Sequence, residues 1–432
     1  MASEILFFSI IALISIRVIG LYRRGQLEYG MVSGLGAWMY LICLWIPANL
    51  QSSGQLDSKI ERAGIIGLPT SMEIESLTLR WSLEVALIAC AELIVVLFLR
   101  VKPLPKSTIS DSTWKYVSFF LVVVGVVATI IFPADLNSRG AEGQGIFVLL
   151  RTSLVCGLSI IAFFNGFGKK SIRLLLVIGG AFLVFENVRS PLLVILISLL
   201  VGFISRGEIY RRKNLFYLSV LVIVGIFVAA FMSEMRANLT RSEGYSTVQL
   251  IEEMSANPLV VPFQSGIDTL DGYRFSKAIS NSEPARPLDL LSPVTNFIPR
   301  AIWQDKPRSI SVEVSTKYLG YKSSGQFLSP VGFLTLATGS YAMALTLFFL
   351  FMVGMAILVL RYRKQFWLSI ILVVLFRFLL GGSAFDVYYG ILLTLIICSG
   401  IAVVKFCGKK DMVATNPNFD SAPVEYVRGR SG

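Results

Sequence analysis

The sequence predicts an all-α polytopic membrane protein, and three observations predict it. The composition is too apolar for a soluble domain. Apolar runs recur at the length of a bilayer crossing. Basic residues are confined to alternate connections between those runs. Apolar residues make up 55% of the 432 residues and charged residues 15%, against about 25% charged in a soluble domain. The formal net charge is +12, which in a soluble chain would point to nucleic acid. Here most of the Lys and Arg residues lie in short segments between apolar runs, so the excess orients the spans and no nucleic-acid partner is expected. The chain contains no histidine, which removes imidazole as base or metal ligand. Of its cysteines, Cys43, Cys90, Cys156 and Cys398 fall in apolar runs and Cys407 borders a basic tail. That pattern indicates neither a disulfide framework nor a metal site, and no cofactor is expected.

Eleven runs approach the roughly 20 residues that a helix needs to cross the hydrocarbon core. They cover 4–22, 31–50, 80–99, 115–133, 146–166, 171–187, 190–205, 214–233, 331–360, 366–385 and 386–404. The first lacks a basic segment before it and reads as a retained helix, not a signal peptide. The sixth and seventh are short and meet at Glu186-Asn187-Val188-Arg189-Ser190-Pro191. A proline there favours a fresh helix start, with one long broken helix as the alternative. The organisation expected is therefore spans 1–8 over residues 1–233, an external cap over 234–330, spans 9–11 over 331–404 and a polar tail over 405–432.

Charge orients these spans. Arg23/Arg24, Arg100/Lys102/Lys106, Lys169/Lys170/Arg173, Arg206/Arg211/Arg212/Lys213, Arg361/Arg363/Lys364 and Lys405/Lys409/Lys410 occupy alternate connections, and the intervening ones are poor in Lys and Arg. The positive-inside rule then places the chain in a bacterial inner membrane, with a periplasmic N-terminus and a cytoplasmic C-terminus. The 234–330 segment holds eight prolines together with the apolar stretches Leu259–Phe263 and Leu288–Trp303. Such content argues for a folded cap with short helices and against disorder. A smaller cap is expected over 51–79, and a disordered tail after Lys410.

Ionisable residues inside the spans are costly and mark wet or functional interiors. They are Arg17, Glu84, Glu92, Arg151, Glu186, Arg189, Arg377 and Asp386. Arg17 lies near a cytoplasmic end, from which it is expected to snorkel. Arg151, Glu186, Arg189, Arg377 and Asp386 all fall near external ends. With Arg300 in the cap, the arginines are placed to form a cationic floor beneath it, and guanidinium forks suit phosphate oxygens. Plain interhelical ion pairs, such as Arg189 with Glu186, are the alternative.

The cap ends in Phe297-Ile298-Pro299-Arg300-Ala301-Ile302-Trp303-Gln304-Asp305-Lys306-Pro307. This segment resembles the Pro-Arg-x-x-Trp-Pro-x-Lys-Pro element of the Wzy-type polymerases, which join O-antigen and related oligosaccharide repeat units. Gln304 stands where that family commonly has proline. Asn187-Val188-Arg189-Ser190-Pro191 before a span, Leu136-Asn137-Ser138-Arg139 followed by Arg151, and Arg377 before a Gly-rich turn resemble the family in order and spacing, over about residues 130–430.

The resemblance implies a glycosyltransferase of GT-C-like architecture. Its donor would be a glycan on undecaprenyl pyrophosphate, and its acceptor a repeat unit on a second such lipid. No metal or nucleotide sugar would be needed, and a chain-length regulator protein would be a membrane partner. Arg151, Arg189, Arg300 and Arg377 would hold the pyrophosphate, whose charge grows as the glycosidic bond breaks. Without histidine the acceptor hydroxyl needs a carboxylate, for which Asp268, Asp271, Asp386 and Glu186 are candidates. Tyr273 and Trp303 would stack on sugars. Two rival readings are a lipid-linked glycan flippase or transporter, which would more often show two related halves, and an O-antigen ligase. Such ligases rely on a loop histidine that this chain lacks.

Overall fold

In hydrocarbon a backbone must satisfy its own hydrogen bonds, and this chain does so with helices. The computed structural model describes residues 2–56, 66–105, 109–131, 145–165, 189–211, 214–216, 219–220, 261–298, 302–306, 308–319, 328–382 and 384–414. Among them, six helices are long and apolar enough to cross a membrane. They are α1 (Ala2–Arg23), α2 (Leu27–Ser52), α3 (Ser71–Leu99), α4 (Asp111–Ile131), α11 (Tyr341–Arg361) and α13 (Ala384–Ala414), the last through its Val387–Cys407 stretch. Three shorter apolar helices lie within α5 (Gly145–Asn165), α6 (Arg189–Ser205) and α12 (Trp367–Gly381). The chain is a multi-pass, all-helical membrane protein. The expected span 171–187 and most of 214–233 lie outside the described residues.

The cap region contributes α7 (Val261–Ile279), α8 (Ser292–Thr295), α9 (Ile310–Leu319) and α10 (Pro330–Thr338). Its ion pairs join successive pieces. Arg286 meets Asp289 at 3.2 Å and Glu313 at 2.6 Å, and Lys317 meets Glu283 at 2.5 Å. Burial pushes the Asp289 carboxyl above its ordinary range, and Arg286 with the Ile310 N–H offsets only part of that rise. Burial acts in the same direction on Glu283, but hydrogen bonds from Lys317 and Tyr318 outweigh it and lower its pKa.

Three expectations are corrected. Helix α3 begins at Ser71, so residues 71–79 extend a span instead of belonging to a separate small cap. Thr70 caps it by accepting from Glu73 N at 3.2 Å, and the Thr-x-x-Glu spacing is that of a capping box. The single span expected over 331–360 is two helices. Helix α10 ends at Gly339, whose φ of +71° suits glycine, and α11 restarts with Ser340 capping Met343 N. Arg17 does not snorkel alone. It donates to Glu92 at 2.7 Å and to Tyr29 O at 2.6 Å, while Ser33 also donates to Glu92. Helices α1, α2 and α3 are therefore joined through one buried carboxylate. Replacing Arg17 with Met is expected to cost about 2 kcal/mol, below the 3–5 of a fully buried pair because Arg17 keeps 24% exposure. The melting temperature of the purified protein would report it, and an unchanged value would contradict the pairing.

One end of the bundle is fixed by aromatic and backbone contacts. Trp114 of α4 meets Phe164 of α5 at 5.4 Å and Trp367 of α12 at 6.2 Å, and Phe163 meets Phe366 at 5.5 Å. The Arg206 guanidinium after α6 donates to Phe163 O. Near the same connections Leu104 N donates to Arg361 O at 2.9 Å, Tyr22 donates to Ile209 O at 3.2 Å and Arg363 donates to Tyr29. Gly157 brings α5 against the backbone of α4 at Ser118 and Val122, the close approach that small residues allow between membrane helices.

Candidate anion-binding site at the cap end

The aromatic layer gathers the C-termini of α5 and α6 with the N-terminus of α12, so the opposite ends of these helices also share a level. Arg151 lies about 18 Å from Phe163 along α5, and Arg377 about 15 Å from Trp367 along α12, at 1.5 Å rise per residue. The two arginines thus lie toward the same end of the bundle, opposite the aromatic layer, at a level termed the arginine layer. Tyr389 of α13 sits in it: Arg377 Cζ lies 4.5 Å from the centre of its ring, a cation–π arrangement. One turn along α13, Leu393 O lies 3.9 Å from Cys156 Sγ of α5, which holds α13 against the Arg151 helix.

Arg151 is half-buried, and its buried Nε has no hydrogen-bond partner. Among the described residues no carboxylate pairs with it. Arg189 opens α6 and Asp386 lies in the first turn of α13, so their backbones stand at the same end. Glu186 and Arg300 lie outside the described residues.

The cap rests on this layer. Phe297, just after α8, contacts the Tyr388 ring at 4.6 Å. Tyr388 adjoins the Tyr389 that Arg377 covers, so Phe297 stands close to Arg377. Lys306 Nζ donates back to Ile298 O at 3.2 Å, drawing the two ends of this segment together. Trp303 lies between them and is half-buried.

The other candidates form a second group on α7. Tyr273 is buried, with its ring edge-on to Trp81 at 5.8 Å. Its hydroxyl donates to Glu84 at 2.6 Å, and the Tyr40 hydroxyl donates to the same carboxylate at 2.7 Å. Arg274 grips Glu73 with two bonds of 3.0 and 3.1 Å and donates to Gly67 O at 2.6 Å. Asp271 is 2% exposed and Asp268 half-buried on the same helix. Helix α7 also packs directly against α12, the helix that carries Arg377. Its Ser276 packs on Gly332 at the start of α10, and Leu328 N donates to Gly381 O at 3.2 Å, one turn beyond Arg377.

Three residues of consequence carry no role in the sequence reading. Tyr389 receives Arg377, Glu84 receives two phenols, and Arg80 stands one turn before Glu84. The signals were present: an Arg-x-x-x-Glu pair within an apolar run, and Tyr388-Tyr389 just after Asp386. Comparison with known proteins gives no matching family model, no similar curated protein and no similar solved structure. The chain stands as a multi-pass, all-helical membrane protein.

Proposed function

We propose that this protein is a metal-independent membrane glycosyltransferase that polymerises oligosaccharide repeat units carried on undecaprenyl pyrophosphate, at the periplasmic face. The observation that carries the reading is Arg151, a guanidinium within an apolar helix that no carboxylate among the described residues neutralises, toward the same end of the bundle as Arg377. A charge in that position is costly, and an anionic ligand would offset the cost. A diphosphate leaving group gains charge as its glycosidic bond breaks, and fixed guanidiniums in a water-poor layer stabilise that charge. The sequence resemblance around Pro299-Arg300 supports the same reading, and Phe297, the first residue of that element, contacts Tyr388.

In this proposal Arg151 and Arg377, with Arg189 and Arg300, hold the donor diphosphate. The acceptor hydroxyl loses its proton to a carboxylate as its oxygen attacks the anomeric carbon, and undecaprenyl pyrophosphate departs. Asp386 is the candidate base best placed in the fold, three residues before Tyr389 on α13. Asp268 and Asp271 lie on α7, which packs against the Arg377 helix, and remain candidates. Trp303 is the aromatic best placed for a sugar, since Tyr273 is enclosed. The test is the length distribution of lipid-linked glycan in a strain lacking this chain, with and without its gene restored. Long chains only on restoration, and single repeat units accumulating without it, are expected. Unchanged chain lengths would contradict the proposal, and single units trapped on the cytoplasmic leaflet would point instead to a flippase.

A further inference from the structure

One face of α3 carries Glu73, Ser76, Arg80 and Glu84, spaced three or four residues apart so that they stack along the helix. Helix α7 supplies a partner to three of them: Arg274 to Glu73, Lys277 to Ser76 and Tyr273 to Glu84. Arg80 is the exception. Its Cζ lies 4.8 Å from the ring centre of Tyr341, and it forms no ion pair among the described residues. Lys277 Nζ is 3.2 Å from Ser76 Oγ, and Ser76 is one turn from Arg80, about 6 Å along the helix. Two cations are therefore neighbours.

The two nearest carboxylates, Glu73 and Glu84, act on this pair through their charge but are hydrogen-bonded to other groups. Glu73 is held by two bonds from Arg274, and both oxygens of Glu84 accept phenol protons. Burial and then the charge of Arg80 lower the Lys277 pKa, and Glu73 offsets only part of that fall. An anion between the two groups would offset the rest.

The surroundings indicate where that anion comes from. Tyr341 is the first residue of α11, where a spanning helix meets the interface and tyrosine is favoured. Leu79, Leu83 and Met343 beside the pair are 55%, 45% and 56% exposed, an apolar rim that faces acyl chains. We infer that Arg80, Lys277 and Tyr341 form a second anion site, separate from the arginine layer, that takes the phosphate of a membrane lipid at the interface. The two cations contact the phosphate oxygens, and the apolar rim accommodates the chain. This inference stands independently of the polymerase reading, because it concerns binding alone.

The test uses the purified full-length protein in phosphatidylcholine nanodiscs doped with a polyisoprenyl phosphate or with phosphatidylglycerol. Bound lipid is read by native mass spectrometry. A third arm offers inorganic pyrophosphate to the detergent-solubilised protein. Arg80→Gln combined with Lys277→Gln is expected to weaken lipid retention about tenfold or more, since each lost contact is a charge-assisted hydrogen bond. In the phosphatidylglycerol arm, Arg151→Gln should leave that retention in place. The two lipid arms identify the phosphate carrier. Equal lipid retention by the double variant and the unaltered protein would overturn the inference, and so would binding of pyrophosphate alone. Loss of the signal in Arg151→Gln but not in the double variant would assign the anion to the deeper layer and also overturn it. Arg80→Lys, which keeps the charge, guards against misfolding and should retain most of the binding.

Discussion

Replacing Arg151 with Gln is expected to abolish chain extension while leaving the protein inserted at its normal level. The side chain stays polar and of similar reach, so packing against α4 and α6 changes little. What is lost is a preorganised positive charge where a leaving diphosphate would gain negative charge. Removing one such donor from an enclosed site typically slows a reaction by about 100- to 1,000-fold. Arg189→Ala and Arg300→Ala are expected to have the same outcome. The measurements are the ladder of lipid-linked glycan lengths and the amount of protein in isolated membranes. Normal polymer from all three variants would remove the cationic-site proposal. A loss of polymer accompanied by loss of protein would instead make Arg151 a structural residue, contrary to its lack of a carboxylate partner.

Replacing Glu84 with Ala is expected to produce the largest loss of stability. Its two oxygens accept the Tyr40 and Tyr273 hydroxyls, at 2.7 and 2.6 Å, and all three residues are buried. Truncation strands two phenol donors and opens a cavity between α2, α3 and α7. Each stranded donor costs about 1–3 kcal/mol, so the sum is about 2–6 kcal/mol before the cavity is counted. Glu84→Gln keeps one carbonyl acceptor and is expected to cost roughly half as much. The two variants can be ranked by thermal unfolding in detergent. Protease sensitivity of the cap should rise in Glu84→Ala, because Tyr273 is one of the residues that tie α7 to the bundle. Equal stability of Glu84→Ala and the unaltered protein would contradict the junction.

Several of the structural features were legible in residue order. Apolar runs mark helices because a backbone in lipid has few other ways to satisfy its hydrogen bonds, and α1, α4 and α12 lie close to the spans read from hydropathy. Arg151 and Arg377 stood out because a charge within an apolar run is expensive wherever the helix packs. Helix ends were harder. The start of α3 depends on the Thr70 cap, and the break before α11 depends on Gly339, both local signals within a polar or apolar stretch that hydropathy averages over.

Partnerships were not legible at all. Arg17 and Arg151 look alike in the sequence, each a lone arginine in an apolar run. The structure gives Arg17 the buried carboxylate of Glu92, 75 residues away in the chain, and gives Arg151 none among the described residues. Tyr273 on α7 reads as a sugar-stacking ring, yet it is turned into the core by Glu84, 189 residues distant.

The sequence alone therefore determined that this is a helical, multi-pass membrane protein and which of its residues carry costly charge. Both follow from each residue's own transfer free energy and from the period of one helix. Only the tertiary structure decided which charges are neutralised, because pairing depends on distances between helices remote in the chain. It is this that separates Arg17, paired with Glu92, from Arg151, which has no carboxylate partner among the described residues.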